Sequence, residues 1–119
     1  MAGGRRDYDG ELLRGNTDIL LLFLIERLGR TYGYQLIKEV ERRSGGFFRF
    51  KEGTVYPALH KLESEGLVRA QWDTLSGGQD RRYYVITEKG EAALERRLAM
   101  WQSFAAAMSL VFAPGEGAR

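Results

Sequence analysis

One short stretch of the sequence changes from a helical to a strand pattern, and this change limits the folds that the chain can adopt. Residues 52–72 read EGTVYPALHKLESEGLVRAQW, and Val55, Leu59 and Leu62 recur there at spacings of four and three. That spacing places all three on one face of a helix, which we expect to be buried. Gly66 ends the helix, and a strand-like segment follows at once. The centre of the chain is therefore a short helix joined directly to a strand.

Helical patterns also flank this central stretch. One helix is predicted to follow Thr17 as its N-cap and to run to about Leu28, and a second runs from Gly33 to the glycine pair at 45–46. Residues 67–73 and 81–87 are predicted strands, with TLSGGQD between them as a hairpin loop. Three helices, a β-hairpin and a last helix follow one another in the order of a winged helix-turn-helix domain. The predicted fold class is mainly α with a small β-hairpin, in which the second and third helices form the helix-turn-helix and the loop forms the wing.

The last helix is predicted to span residues 88–112, with Thr87 as its N-cap and Pro114 beyond its end. Its apolar residues recur at spacings of four and three, as in a coiled-coil seam, and a second apolar stripe lies beside the first. The first helix is apolar nearly all round. One small domain cannot cover all these surfaces, so we expect a homodimer; the alternative is that the seam packs on its own domain. The predicted dimer contacts are Leu21, Leu24, Leu94, Leu98, Trp101, Ala105, Met108 and Phe112.

Length and hydropathy indicate a single soluble unit. The chain has 119 residues, which suits one domain with appended segments. The predicted divisions are a flexible N-terminal segment at 1–15, a winged helix-turn-helix DNA-binding domain at 16–87, a dimerisation helix at 88–112 and a disordered tail at 113–119. The apolar run ILLLFLI is too short for a membrane span, and the acidic residues before it do not fit a signal peptide. We therefore expect a cytoplasmic protein.

The central helix has the features of a DNA-recognition helix. Its N-terminal turn presents backbone N–H groups and the positive end of the helix dipole, and both suit a phosphate. The net charge of +2 permits a nucleic-acid partner without requiring one, while Glu63 and Glu65 would repel DNA. Alternatively, Tyr56 packs on the second helix, and Arg81 and Arg82 form a solvated strand edge. The predicted DNA contacts are Arg49, Lys51, Thr54, Tyr56, Pro57, Ala58, His60, Lys61, Gly77, Gly78, Arg81 and Arg82.

Catalytic and metal-binding chemistry finds little support in the sequence. The chain has no cysteine, which excludes disulfides, thiolate metal sites and thiol catalysis. His60 is the only histidine, and no nucleophile or carboxylate partner for it is evident. The segment LSGGQ matches an ATPase signature, but it lies between two strands and no P-loop precedes it. We therefore expect neither an enzyme nor a bound metal or cofactor.

Three segments carry a family resemblance: YGYQLIKEVE, EGTVYPALHKLESEGLV and RRYYVITEKGEAAL. Together they resemble the PadR family of bacterial transcriptional regulators over residues 12–105, and the single C-terminal helix resembles the short subgroup of that family. The resemblance implies a homodimer that binds a palindromic operator in double-stranded DNA and usually represses transcription. It implies that residues 53–65 enter the major groove with Tyr56 at the backbone, and that the wing, 75–82, lies near the minor groove or phosphates. It also implies dimerisation through the last helix and the first.

The resemblance further implies a ligand. Some members of the family bind planar aromatic or phenolic compounds and then release DNA, and in some short members a tryptophan of the C-terminal helix lines a pocket at the dimer interface. Trp101 occupies the corresponding place, so an aromatic effector would contact Trp101, Phe104 and Met108. The alternative is that Trp101 only packs in the dimer core. Two other functions stay open: a winged-helix module that binds protein instead of DNA, and a ligand-binding dimer that no longer regulates DNA.

Overall fold

The computed structural model describes residues 15–75 and 77–115. Its helices are α1 (Thr17–Leu28), α2 (Gly33–Arg43), α3 (Glu52–Ser64) and α4 (Glu88–Phe112). Its strands are β1 (Thr31–Tyr32), β2 (Val68–Thr74) and β3 (Asp80–Ile86). The predicted fold class is confirmed, since helices surround a small antiparallel sheet and a long helix follows it. Most of the predicted flexible segment, 1–14, and the end of the predicted tail, 116–119, lie outside the described residues.

The sheet contains one strand that the sequence pattern did not reveal. Its order is β1-β3-β2, antiparallel throughout, so β2 and β3 form the predicted hairpin and β1 adds to the far edge of β3. Thr31 pairs with Tyr84 and Tyr32 with Tyr83. A strand of two residues is too short for an alternating pattern to be recognised. Thr31 is fully buried, and its hydroxyl donates to Gln35 Oε1 at 2.7 Å. β1 thereby ties the start of α2 to the hairpin.

One hydrophobic core holds α1, α2, α3, the sheet and the start of α4 together. The predicted inward residues of α3, Val55, Leu59 and Leu62, are all fully buried. Burial of such a side chain contributes about 1.5–3 kcal/mol relative to an exposed position. These three side chains therefore fix the orientation of α3 and leave its opposite side to solvent. The other buried apolar residues are Leu21, Leu22, Leu24, Ile25, Leu36, Val40, Phe50, Leu67, Val68, Tyr84, Ala93 and Leu94.

Three of the predicted dimer contacts belong to this core. Leu21, Leu24 and Leu94 are 0 %, 4 % and 7 % exposed within the single chain. A partner subunit has almost no surface left to cover at these side chains, so we do not retain them as dimer contacts. The all-round apolar pattern of α1 led us to expect a subunit interface there. The pattern is explained within the single chain, because α1 packs against α2, α3, α4 and β3.

The start of α4 is fixed to the end of α3 by what we call the α3–α4 joint, formed by Gly66, Leu67, Thr87 and Gly90. The hydroxyl of Thr87, the predicted N-cap, accepts the Gly90 N–H at 3.0 Å and donates to the carbonyl of Gly66 at 2.7 Å. The Thr87 N–H donates to the carbonyl of Leu67 at 3.1 Å. A Cβ on Gly90 would overlap that carbonyl oxygen and lie 2.8 Å from Ile86 Cγ1. α4 therefore leaves the domain from a tightly packed and hydrogen-bonded origin.

Beyond Leu98, α4 carries an apolar surface that its own chain does not cover. Its large hydrophobic side chains there are between 40 % and 78 % exposed. A contiguous exposed surface of this kind marks an interaction site in a folded protein. We call it the α4 apolar surface, and it consists of Met100, Trp101, Phe104, Met108, Leu110, Val111 and Phe112.

We predict that Glu39, on α2, keeps its charge to low pH. Arg42 and Arg43 donate hydrogen bonds to its carboxylate at 2.6 and 2.7 Å, and these bonds lower the pKa of Glu39 from 4.5 to about 2. Because the folded-state pKa is depressed, the stabilisation is fully present above pH 4.5 and is lost as the pH falls through about 2. A ¹³C NMR titration of this carboxyl group should have its midpoint near pH 2, moving towards 4.5 in the Arg42→Gln/Arg43→Gln variant. A wild-type midpoint at 4.5 would rule out these ion pairs in solution.

Candidate nucleic-acid interface

The solvent-facing side of α3 is set by the burial of its other side. In a helix of about 3.6 residues per turn, the side opposite the buried stripe holds positions that are all exposed here. We call them the outer face of α3: Gly53, Pro57, His60, Lys61 and Ser64. Thr54 is also exposed, at the edge of this face. Ala58 is half-buried and packs against the core, so only part of its surface is left for the predicted DNA contact.

The N-terminus of α3 is open. The helix begins at Glu52, slightly earlier than predicted, so Pro57 lies in its second turn and offers no N–H to the carbonyl of Gly53. The carbonyl of Lys51, the N-cap residue, accepts the N–H of Thr54 at 2.9 Å, and no side chain caps this end of the helix. The first N–H groups of a helix have no intrahelical partner. In α3 the N–H groups of Glu52 and Gly53 precede these bonds and are therefore available to an anion such as a phosphate.

Tyr56 packs on the second helix, as one of the two alternatives for this residue supposes. Its ring lies so close to Gly33, the first residue of α2, that a Cβ there would be 2.6–2.7 Å from three of its atoms. The side chain nevertheless stays 38 % exposed. The glycine in the YGY segment is thus required by the tyrosine of the Y-P pair, and the two motifs are in contact across the helix-turn-helix. Tyr56 has a fixed ring position beside the outer face of α3.

We predict that Gly33→Ala destabilises the protein only while the Tyr56 ring is present. Alanine at this position forces the ring to move, and such overpacking costs about 1–3 kcal/mol. In a Tyr56→Ala background the same substitution meets no ring, so it should be neutral or slightly stabilising. Urea unfolding of the four proteins in this double-mutant cycle measures the coupling. An equal loss in both backgrounds would show that the contact does not exist in solution.

Arg82, a predicted DNA contact, is held against α3 by its neighbours. Its guanidinium donates to both carboxylate oxygens of Glu63 at 2.6 and 2.9 Å, and its Nη1 lies 3.4 Å from His60 Nε2. It also lies 5.6 Å from the ring centres of Trp72 and Tyr84. We call this group the Arg82 clasp, because it joins β3 to α3. It also neutralises Glu63, which the sequence analysis expected to repel DNA.

Arg81 and Arg30 stack on tyrosines of the outer sheet face. Arg81 lies 4.0 Å from the Tyr32 ring centre and donates to the Tyr83 hydroxyl at 3.5 Å. Arg30 lies 3.7 Å from the Tyr83 ring centre and donates to Asp73 at 2.7 Å. The sequence analysis considered Arg81 as a DNA contact or as part of a solvated strand edge. Neither alternative included its contacts with Tyr32 and Tyr83. Sequence reasoning missed Arg30, because a single arginine in a loop carries no periodic signal. The stacked groups hold β1, β2 and β3 in place beneath the wing.

The tip of the wing is polar but uncharged among the residues described. Gly77 and Gly78 are exposed and have φ angles of 93° and 84°, which only glycine adopts readily. The turn is closed by hydrogen bonds from the Leu75 N–H to the Gln79 carbonyl at 2.6 Å and from the Gly78 N–H to the Leu75 carbonyl at 3.0 Å. The two glycines offer backbone groups to a partner and no side chain.

The remaining cations among the predicted DNA contacts are all exposed, but they differ in their hydrogen-bond and ion-pair partners. Arg49 is exposed and donates to the carbonyl of Gly46 at 3.3 Å, and Lys51 is exposed beside the open end of α3. Lys61 is exposed but pairs with Asp18 of α1 at 3.0 Å, and the hydrogen bond and charge of Asp18 raise its pKa. Neither Arg49 nor Lys51 forms an ion pair with another described residue, whereas Lys61 would have to leave Asp18 to meet another anion.

A cavity of about 570 Å³ lies where α1, α3 and α4 meet. It brings together Trp101 and Phe104, two of the three predicted effector contacts, whereas Met108 is not part of its lining. Lys61 and Arg97 also line the cavity, and each is paired with a carboxylate: Lys61 with Asp18 at 3.0 Å and Arg97 with Glu65 at 3.7 Å. Its other lining residues are Gly15, Asn16, Asp18, Ile19 and Met100. An apolar aromatic wall beside two cations suits a planar ligand with a polar or anionic group.

The described residues contain neither a metal-binding cluster nor a membrane-spanning helix. Within residues 15–75 and 77–115, no group of three or more His, Asp or Glu side chains is placed to hold a metal ion. In the same part of the chain, no helix has the length and apolar character needed to span a membrane.

Comparison with known proteins gives consistent matches. The family model described as the transcriptional regulator PadR-like family matches residues 21–96. A transcriptional regulator of Mycobacterium tuberculosis is 38 % identical over 63 residues, which are 53 % of this chain and 55 % of that protein. The crystal structure of a PadR family transcription regulator from Clostridium difficile is 34 % identical, with a TM-score of 0.70, over 81 % of this chain and 97 % of that one. Bacillus subtilis PadR, in complex with operator DNA, is 26 % identical with a TM-score of 0.62, over 68 % of this chain and 46 % of that one.

The matched range contains α3, the wing and the first part of α4. It ends before the α4 apolar surface begins at Met100. The family model covers more than half of the 119 residues, and a PadR family structure superimposes on 81 % of the chain with a TM-score of 0.70. The chain belongs to the PadR-like family of transcriptional regulators.

Proposed function

We propose that this protein acts as a homodimer that binds a palindromic operator through α3 and the wing, and that it represses transcription. The observation that carries the proposal is the α4 apolar surface, whose side chains are up to 78 % exposed in the single chain. A second copy of the same helix is the partner that covers such a surface symmetrically. The operator complex of Bacillus subtilis PadR supports DNA as the ligand of the winged helix.

In this proposal the outer face of α3 enters the major groove. Thr54, His60 and Lys61 reach the base edges, while Arg49 and Lys51 bind phosphates on either side of the helix N-terminus. The Lys61 ammonium leaves Asp18 for DNA, which lowers the net gain from that contact. The two α3 helices of the dimer must lie about 34 Å apart to meet successive major grooves on one side of the duplex.

The proposed dimer uses the half of α4 that the domain leaves uncovered. Trp101, Met108 and Phe112 belong to the α4 apolar surface and keep their predicted role. Leu98 and Ala105 are half-buried and lie on the same seam. Two such helices packed together would bury apolar side chains at about 25 cal/mol per Å² of area removed from water. In the proposed dimer, this gain from burial would account for the apolar residues on a helix that projects from the domain.

A small aromatic ligand in the cavity between α1, α3 and α4 is the proposed signal that relieves repression. The ligand would stack on Trp101 and Phe104 and pair with Arg97 or Lys61. Lys61 belongs to the outer face of α3, so the cavity and the proposed DNA surface share a residue. The ligand shifts the equilibrium towards the free protein only if it binds the DNA-free arrangement more tightly than the DNA-bound one.

The test is binding to the DNA upstream of the protein's own gene, measured by mobility shift over a range of salt concentrations. We expect tight, sequence-selective binding that weakens steeply with salt, because phosphate contacts release counterions. Lys51→Glu should weaken binding at least tenfold and flatten the salt dependence. Lys89→Glu is the matched control, since Lys89 is exposed at the start of α4 and outside the proposed surface. Binding no tighter than to random DNA would favour the rival proposal of a protein-binding winged helix.

A further inference from the structure

Trp72 is exposed to a degree that its fold does not explain. It lies on β2 near the wing and is 65 % exposed, more than any other large hydrophobic side chain outside α4 in the described part of the chain. Packing does not require it, because the core on this side ends at Val68 and Tyr84, which are 2 % and 1 % exposed. An indole has a large apolar surface and one polar N–H, so an exposed one beside a binding surface is well suited to contact the bound partner.

The strand register places this indole beside the outer face of α3. Trp72 is two and four residues beyond Ala70 and Val68, and so shares the strand face that packs on the core. Its cross-strand neighbour is Arg82, whose guanidinium lies 5.6 Å from the indole and bonds to Glu63 of α3. The Arg82 clasp therefore holds the indole next to α3, on the side where His60 is exposed. A duplex seated on the outer face of α3 would lie against Trp72.

Charge decides what kind of contact the wing makes. Arg81, Arg82 and Arg30 are engaged with tyrosines and carboxylates, and Asp73 is neutralised by Arg30. Arg81 keeps its charge but is stacked on Tyr32, so the described cations of the wing are held against the protein's own side chains. The exposed indole beside the wing matches the apolar edge of a deoxyribose. We propose that Trp72 packs against the sugars of the DNA strand that borders the half-site, and so supplies the wing contact without charge. This inference rests on the proposed binding of operator DNA.

An uncharged contact has a distinct signature in binding data. Removing the indole should weaken operator binding about tenfold, the loss expected when one large apolar side chain is removed from a contact that excludes water. The slope of log affinity against log salt should stay unchanged, because no phosphate charge is neutralised by Trp72. Lys51→Glu, by contrast, should change both quantities. The pair of variants separates an apolar contact from an ionic one.

The experiment uses Trp72→Ala and Trp72→Phe, with the operator fragment found by mobility shift. The side chain is 65 % exposed and only borders Arg82, so both variants should remain folded. Urea unfolding measures any stability lost with that contact, and binding is compared under conditions in which each variant is fully folded. We expect the alanine variant to bind about tenfold more weakly at an unchanged salt slope, and the phenylalanine variant to recover most of the loss. In protein labelled with 5-fluorotryptophan, the ¹⁹F resonance missing from the Trp72→Phe spectrum should shift when operator is added.

The failures of the two proposals can be told apart. If wild-type protein binds its operator selectively while Trp72→Ala binds equally well and the Trp72 resonance does not move, the indole contact is wrong and the regulator proposal stands. If the resonance moves but affinity falls together with the salt slope, the wing contact is ionic and the inference is overturned. If the wild type shows no selective binding to any upstream fragment, the proposed function itself fails.

Discussion

Replacing Gly90 with alanine will destabilise this protein more than any other single methyl group added to a described glycine. The new Cβ would overlap the carbonyl oxygen of Leu67, and this backbone group is fixed by hydrogen bonding to Thr87. Overpacking a core typically costs about 1–3 kcal/mol, and a clash with backbone is at the upper end of that range. The better helix propensity of alanine returns about 1 kcal/mol at most. We therefore expect a net loss of about 2–3 kcal/mol in the free energy of unfolding, measured in urea at fixed protein concentration.

Gly53→Ala is the matched control. Gly53 also lies in the first turn of a helix, but a Cβ there meets nothing within 4 Å. That substitution should be neutral or stabilising by about 0.5–1 kcal/mol. Equal stability of the two variants would show that the α3–α4 joint is looser in solution than the close approach of Gly90 to Leu67 implies.

Introducing two charges into the α4 apolar surface will make the protein monomeric and remove most of its DNA affinity. Phe104 and Val111 are 62 % and 78 % exposed and lie seven residues apart, on one stripe of the helix. Phe104→Glu/Val111→Glu would place two carboxylates from each subunit in the proposed apolar interface, where ions are strongly disfavoured. A monomer engages one half-site instead of two, so operator affinity should fall by about a hundredfold or more. Sedimentation velocity and operator mobility shift measure the two effects.

Gln102→Glu/Ser109→Glu is the control for that variant. Gln102 and Ser109 are exposed, polar and also seven residues apart on α4, so the control adds the same charge outside the apolar stripe. It should remain dimeric and bind with less than a tenfold loss. A Phe104→Glu/Val111→Glu protein that stays dimeric would place the subunit interface elsewhere, while a wild-type monomer would contradict the homodimer itself.

The spacing of apolar residues in the sequence was sufficient to predict the long helix and the buried side of α3. The coiled-coil spacing, the threonine cap and the following proline predict a helix at 88–112, and the structure has the same bounds. The stripe of Val55, Leu59 and Leu62 likewise gives the correct buried side of α3. In these cases the signal is repeated along one element, so a single sequence contains it.

Contacts between distant residues could not be read in the same way. The approach of Tyr56 to Gly33, the pairing of Arg82 with Glu63 and the pairing of Lys61 with Asp18 each join separate elements. No local pattern distinguishes an arginine that faces a carboxylate from one that faces solvent. The DNA surface predicted from charge stays a prediction, but its cations differ in the partners that they have. Arg82 pairs with Glu63 and Arg81 stacks on Tyr32, whereas no ion pair of Arg49 or Lys51 is found among the described residues.

Because the α3–α4 joint fixes the start of α4 to the domain, a small change in angle between α4 and the domain becomes a large displacement at the far end of the helix. α4 has 25 residues, so it is about 37 Å long at about 1.5 Å per residue, and a tilt of about 5° at the joint displaces its far end by about 3 Å. In the proposed dimer, a substitution on the α4 apolar surface that changes how two such helices cross also changes the distance between the two recognition helices. A substitution in the proposed subunit interface would then require a matching change in the spacing of the operator half-sites. In the proposed dimer, the interface and the operator are therefore expected to evolve together.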